Sequence, residues 1–156
     1  MIDLRLKIPA MSDQITIGDM PQIKTASAGH SGRIGLRWAA AGFFLLAGLN
    51  HFLIPGFYQQ IVPPGFPSPK MLVIISGLAE MAGGLGLLIR PVRRLAGWGL
   101  ILLLIAMFPA NIYMAVYPEG FGILPWFLWL RLPAQGLFAA WVWIVAISDE
   151  SGREGR

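Results

Sequence analysis

The sequence predicts an all-α, membrane-spanning four-helix bundle, and three observations point there. Four long apolar runs are separated by short polar or proline-rich links, and each run approaches the roughly 20 residues that cross a bilayer. Hydrophobic residues make up 56% of the chain and charged residues 13%, about half the charged share of a soluble domain. A soluble helical bundle would carry polar faces at helical spacing, and the runs lack them.

Taken in order, residues 1–33 are mixed and polar, broken by Pro9, Gly18, Pro21, Gly29 and Gly32. No apolar core of a signal peptide occurs there. A flexible tail is expected, with His30 solvated among Gly and Ser, and Met11 and Met20 as alternative starts. The expected transmembrane domain spans 34–147, with a polar tail over 148–156. Its first span covers about 34–54, with Arg33 and Arg37 at its start. Ala40, Ala41, Phe44, Ala47, Gly48 and His51 share one face at three- and four-residue spacing. Small residues on one face let a second helix approach closely.

The link PGFYQQIVPPGFPSPK has five prolines, Pro55, Pro63, Pro64, Pro67 and Pro69, which forbid a long helix. Phe57, Tyr58, Ile61 and Phe66 make it too apolar for a free loop. It reads as an interfacial cap over the bundle mouth. The second span, 71–89, carries one carboxylate, Glu80, in its middle. A charge at that depth costs about 2.5–3.5 kcal/mol on insertion scales, so a partner or a proton must offset it. Gly77, Glu80, Gly83 and Gly84 share a face. The basic turn RPVRR leads to the third span, about 95–116, and the link YPEGFGILP leads to the fourth, about 126–147.

The net charge is +4, from 12 Lys+Arg and 8 Asp+Glu. The arginines flank apolar runs, which speaks for topology and against nucleic-acid binding. If the spans alternate, Arg33, Arg37, Arg90, Arg93, Arg94, Arg153 and Arg156 lie on one side, facing only Lys70 and Glu119. The positive-inside rule then puts both termini in the cytoplasm. The chain has no cysteine, which removes disulfides, thiolate metal sites and Cys-ligated iron–sulfur clusters.

Depth arithmetic brings the polar residues of the spans together. At about 1.5 Å per residue from the non-cytoplasmic ends, His51 lies roughly 6 Å in, Asn111 and Arg131 roughly 8 Å, and Glu80 and Gln135 roughly 13–14 Å. Every span thus places a polar group in the outer half. Arg131 and His51 are the candidate partners of Glu80. Arg131 and Gln135, four apart, share a helix face. Pro109 and Pro133 each leave a carbonyl without its amide donor, at Ile105 and Trp129, and such carbonyls are tolerated where they face protein or a cavity. Two readings of the cluster stand side by side: an ion-pair network that fixes helix register, and a ligand site. No catalytic residue or metal site is assigned, and the pattern lacks a haem-ligand pair, HExxH or P-loop.

The segments AGLNHFLIPGFY (47–58), IVPPGFPSPKMLVIISGLAEMAGGLGLLI (61–89), RRLAGWGLILLLIAMFPANIYMA (93–115) and LWLRLPAQ (128–135) resemble the DoxX family of small four-helix membrane proteins. His51, Glu80, Asn111, Arg131 and Gln135 fall within the matching motifs. The resemblance implies a bacterial-type membrane location and, for some members, association with quinone-linked oxidoreductases. The expected function is an accessory or quinone-binding subunit of a membrane redox system, with no covalently held cofactor and a quinone as ligand. A partner subunit would carry the electrons, and a homo-oligomer is the other expected assembly. The alternatives are a non-enzymatic scaffold or assembly factor and, less favoured, a small transporter.

Overall fold

A computed structural model describes residues 27–148 of the 156-residue chain, with side chains from residue 32. The expectations for the N-terminal tail before residue 27, for the His30 side chain and for the C-terminal tail beyond residue 148 fall outside the described residues.

Long helices dominate what is described. They are α1 (Ser27–Leu53), the short α2 (Pro55–Gln60), α3 (Pro69–Leu88), α4 (Arg93–Val116) and α5 (Pro125–Val142). A π-helical turn, Trp143–Ile147, extends α5. Prolines start α2, α3 and α5 within their first turns, where a missing amide donor costs nothing. Ser68, just before Pro69, turns the chain into α3 with φ 49°, in the left-handed region. Helix α1 begins several residues before the apolar run. Apolarity marks where a helix can enter lipid, whereas the backbone ladder needs only helical propensity.

Among the described residues, four helices are long and apolar enough to cross a membrane: Gly32–Leu53, Pro69–Leu88, Arg90–Val116 and Pro125–Ile147. Only 17–33% of each span is buried inside the protein. Large side chains such as Leu46, Leu95, Leu102, Ile105 and Leu137 face outward. An apolar surface this extensive needs an apolar surrounding.

The helices pack in sequence, α1 on α3, α3 on α4 and α4 on α5, while α1 and α5 approach chiefly through the π turn. At the α1–α3 seam backbone meets backbone. A Cβ on Gly48 would stand 2.6 Å from the Gly77 carbonyl oxygen, and one on Gly84 would stand 3.0 Å from that of Ala41. The small-residue face expected of α1 is therefore the packed one, with Ala40, Ala41, Phe44, Gly48 and His51 buried. On α3, Gly83 receives Leu100 and Gly86 receives Ala96.

The core is divided. At the end carrying the basic turn, Ala40, Phe44, Leu87, Leu100, Val142, Val145, Ala146 and Ile147 form one apolar cluster. At the opposite end, Ile61, Met114, Ala115 and Leu128 form another, backed by Phe57, Tyr58 and Phe121. The proline-rich link thus does fold over the bundle mouth.

Two arginines of the basic end do more than flank spans. Arg93 is buried and its Nε donates to the Leu87 carbonyl at 2.9 Å, capping α3. Arg37 Nε donates to the Val145 carbonyl in the π turn at 3.2 Å.

Gly48→Val should destabilise the fold by about 1–3 kcal/mol through overpacking. Gly42→Ala and Gly99→Ala, where an added Cβ meets nothing within 4 Å, should be neutral or gain up to about 1 kcal/mol from helix propensity. Unfolding in detergent compares the three, and equal effects would contradict the seam.

Candidate functional site

Between the two apolar clusters lies a cavity of about 150 Å³. Its walls include His51, Glu80, Asn111, Arg131 and Gln135, together with Phe43, Phe44, Tyr58 and Phe138. The polar residues of α1, α3, α4 and α5 thus converge on one space.

Antiparallel packing explains how residues at different depths meet. Helical side chains lean toward their own N-terminus. His51 on α1 and Glu80 on α3 each lie three residues beyond the Gly48–Gly77 contact, in opposite directions. Each side chain leans back toward that contact, and His51 Nδ1 comes 3.4 Å from Glu80 Oε2. A Cβ on Gly77 would stand 2.9 Å from His51 Cβ, so the missing side chain at Gly77 is what makes room for the imidazole.

The ring is held on several sides. Nδ1 also lies 3.0 Å from the Ala47 carbonyl. Tyr58 stacks on the ring with centroids 3.9 Å apart, and its hydroxyl accepts from Asn50 Nδ2 at 3.1 Å. The Ala47 carbonyl is the nearer acceptor and can only accept. A neutral imidazole protonated at Nδ1 therefore gives its hydrogen bond to the backbone. Glu80 Oε2 is left within ion-pair distance of the ring but buried without a hydrogen-bond partner. An acceptor left so carries a desolvation cost of about 1–3 kcal/mol, more when charged.

The opposite wall is an amide chain. Asn111 Nδ2 donates to Gln135 Oε1 at 3.1 Å, and Gln135 Nε2 donates to the Leu104 carbonyl. Again the partners lean together from antiparallel helices, here α4 and α5. The carbonyl engaged is Leu104, one residue before the Ile105 carbonyl that Pro109 leaves without an amide donor. Arg131, one turn before Gln135, points Nη1 at Met114 Sδ, 3.6 Å away. Sulfur is a weak acceptor, and a guanidinium has five N–H donors. Of the two candidate partners of Glu80, His51 is the one within ion-pair reach.

Several contributors were not legible as site residues. Tyr58 sits in the link and reads as an interfacial aromatic, and Asn50 reads as a neighbour of His51. Their hydrogen bond across eight residues follows from the turn into α2. Phe43 and Phe138 stack at 4.5 Å across the α1–α5 seam, and nothing in an apolar run distinguishes them.

These features define a class: a helical protein with four candidate membrane spans enclosing a polar cavity. The chain belongs to the family described as a domain of unknown function (DUF8561), which matches residues 40–146. No curated protein and no solved structure matches it. The family match corrects the DoxX reading. HF, SGxxE, PAN and RLPxQ are short motifs in a background of Leu, Ile, Ala and Gly. Helix packing and buried polar pairing ask for such residues in many four-helix membrane proteins, so the motifs reflect shared constraints and do not establish that family.

A double-mutant cycle between Asn111→Ala and Gln135→Ala should return a coupling of about 0.6 kcal/mol, with about 1.7 as an upper bound, the range of side-chain hydrogen bonds between membrane helices. Additive effects on unfolding would show that the pair does not form.

Proposed function

We propose that this is a multi-pass protein of the plasma (inner) membrane, with both termini cytoplasmic. In this reading its cavity binds the ring of a quinone, and the protein serves as an accessory subunit of a membrane redox system. The outward apolar side chains favour embedding. Arg33, Arg37, Arg90, Arg93 and Arg94 gather at one end against Lys70 and Glu119 at the other, which favours that orientation.

The observation that carries the ligand reading is the buried Glu80 Oε2, without a hydrogen-bond partner, in a cavity that also holds the Arg131 guanidinium. The cavity therefore offers an acceptor and a donor between aromatic walls. A quinone is flat, with carbonyl oxygens on opposite edges. One oxygen accepts from Arg131, and in the reduced form a hydroxyl donates to Glu80. In the reduced form the ring thus supplies the hydrogen bond that Glu80 Oε2 lacks. Electrons come from a partner subunit: the sequence has no Cys, and the described residues hold no cluster of His and carboxylates for a metal.

A scaffold or assembly role is the second reading, favoured by the close Gly48–Gly77 contact. It makes the seam decisive and Glu80 dispensable.

Purified protein in detergent, titrated with a tail-less benzoquinone and followed by quenching of its tryptophans, should bind the ring. Arg131→Ala should weaken binding about tenfold or more, as expected for losing a charge-assisted hydrogen bond worth about 1.5–3 kcal/mol. Wild-type protein that ignores the ring, together with Glu80→Gln cells that keep full quinone-linked respiration, would overturn this reading in favour of the scaffold. Reporter fusions in the 61–67 link and after residue 148 should report opposite sides of the membrane, the latter cytoplasmic.

A further inference from the structure

A second cavity, of about 230 Å³, lies against the first. It runs between α3 and α4 beneath the proline-rich link, lined by Ile61, Phe66, Val73, Ile75, Leu103 and Ala106. The space exists because the facing residues there are small, Ser76 on α3 with Ala106 and Ala110 on α4, and because Pro109 interrupts the α4 ladder beside it. Ser76 returns its hydroxyl to its own helix, donating to the Val73 carbonyl at 3.1 Å. The groove therefore offers almost nothing but hydrocarbon contact.

The two cavities share His51, Tyr58 and Met107 as lining residues. A polar compartment and an apolar one thus meet at a single stacked pair of rings. Ile75 and Ala106 are also exposed on the outer surface of the helices, so the apolar compartment borders the face that an apolar surrounding covers. A compact polar ligand would use only the first space, and a hydrocarbon only the second. A molecule with a hydrogen-bonding ring and a long apolar tail uses both.

We propose that the α3–α4 groove takes the hydrocarbon tail of the ligand whose ring occupies the polar cavity. This rests on the quinone reading and narrows it to long-tailed, membrane-resident quinones. The tail lies along Ile75 and Ala106 and reaches the lipid between α3 and α4. The His51–Tyr58 stack marks the junction of ring and tail.

The test compares a decyl-tailed benzoquinone, the same ring without its tail, and decanol, each titrated into the full chain in detergent. The tail should strengthen binding at least tenfold over the bare ring, which corresponds to about 1.4 kcal/mol. Ala106→Phe and Ala110→Phe, which fill the groove from positions outside the polar cavity, should each abolish that gain. Both should bind the bare ring as the wild type does, which also certifies their fold. Equal binding of tailed and bare rings by the wild type, or a tail gain that survives both substitutions, overturns the groove assignment alone. Decanol that competes as well as the tailed ring makes the groove a general lipid slot and overturns its link to the ring. A wild-type protein that binds neither ring overturns the quinone reading and this assignment with it.

Discussion

The close approach of α1 and α3 at Gly48 and Gly77 is the constraint on which the rest depends. Helices of ordinary surface lie about 8–10 Å apart, and at that spacing His51 and Glu80 would be divided by intervening side chains. With no side chain on either glycine, the backbones close in. The two polar residues, each three positions past the contact, then lean back into a common space. Tyr58 can reach His51 only because α1 ends just beyond it and the chain doubles back into α2. The cavity wall on this side is therefore a consequence of two absent side chains.

The opposite wall follows a different logic. Asn111 and Gln135 join α4 to α5 through amides, and Gln135 also takes a backbone carbonyl of α4. This cross-brace does not require close backbones, because long side chains bridge the distance. One seam is close, and the other is spanned by hydrogen bonds. With apolar clusters closing both ends of the bundle, this difference leaves room in the middle.

Much of this was legible in the sequence. The four long apolar helices could be read because long uninterrupted apolar runs favour helix, and the small face of α1 because its spacing matches the helical repeat. Depth arithmetic placed His51, Glu80, Asn111, Arg131 and Gln135 in the same half of the bundle. Which of them would pair it did not show. Depth locates Cα atoms, whereas contact depends on the lean of side chains and the rotation of each helix about its axis. That is why Glu80, level with Gln135 by rise, meets His51 instead. The starts of the helices were also hidden, since α1 begins before the apolar run. Arg93 read as a topological flank, yet it is buried as a cap on α3, and no composition argument distinguishes those roles. Short motifs suggested the wrong family because such residues serve packing in many bundles.

The outward-facing leucines and isoleucines have a consequence for how this protein can drift. Leu46, Leu95 and Leu137 touch little of the protein itself, so any apolar residue serves at those positions. Those positions constrain the fold only through their apolarity. What the packing constrains is sparser, Gly-x-x-His on α1 answered by Gly-x-x-Glu on α3. Exchange among apolar residues on the outward face leaves this pairing untouched, whereas a side chain added at either glycine does not.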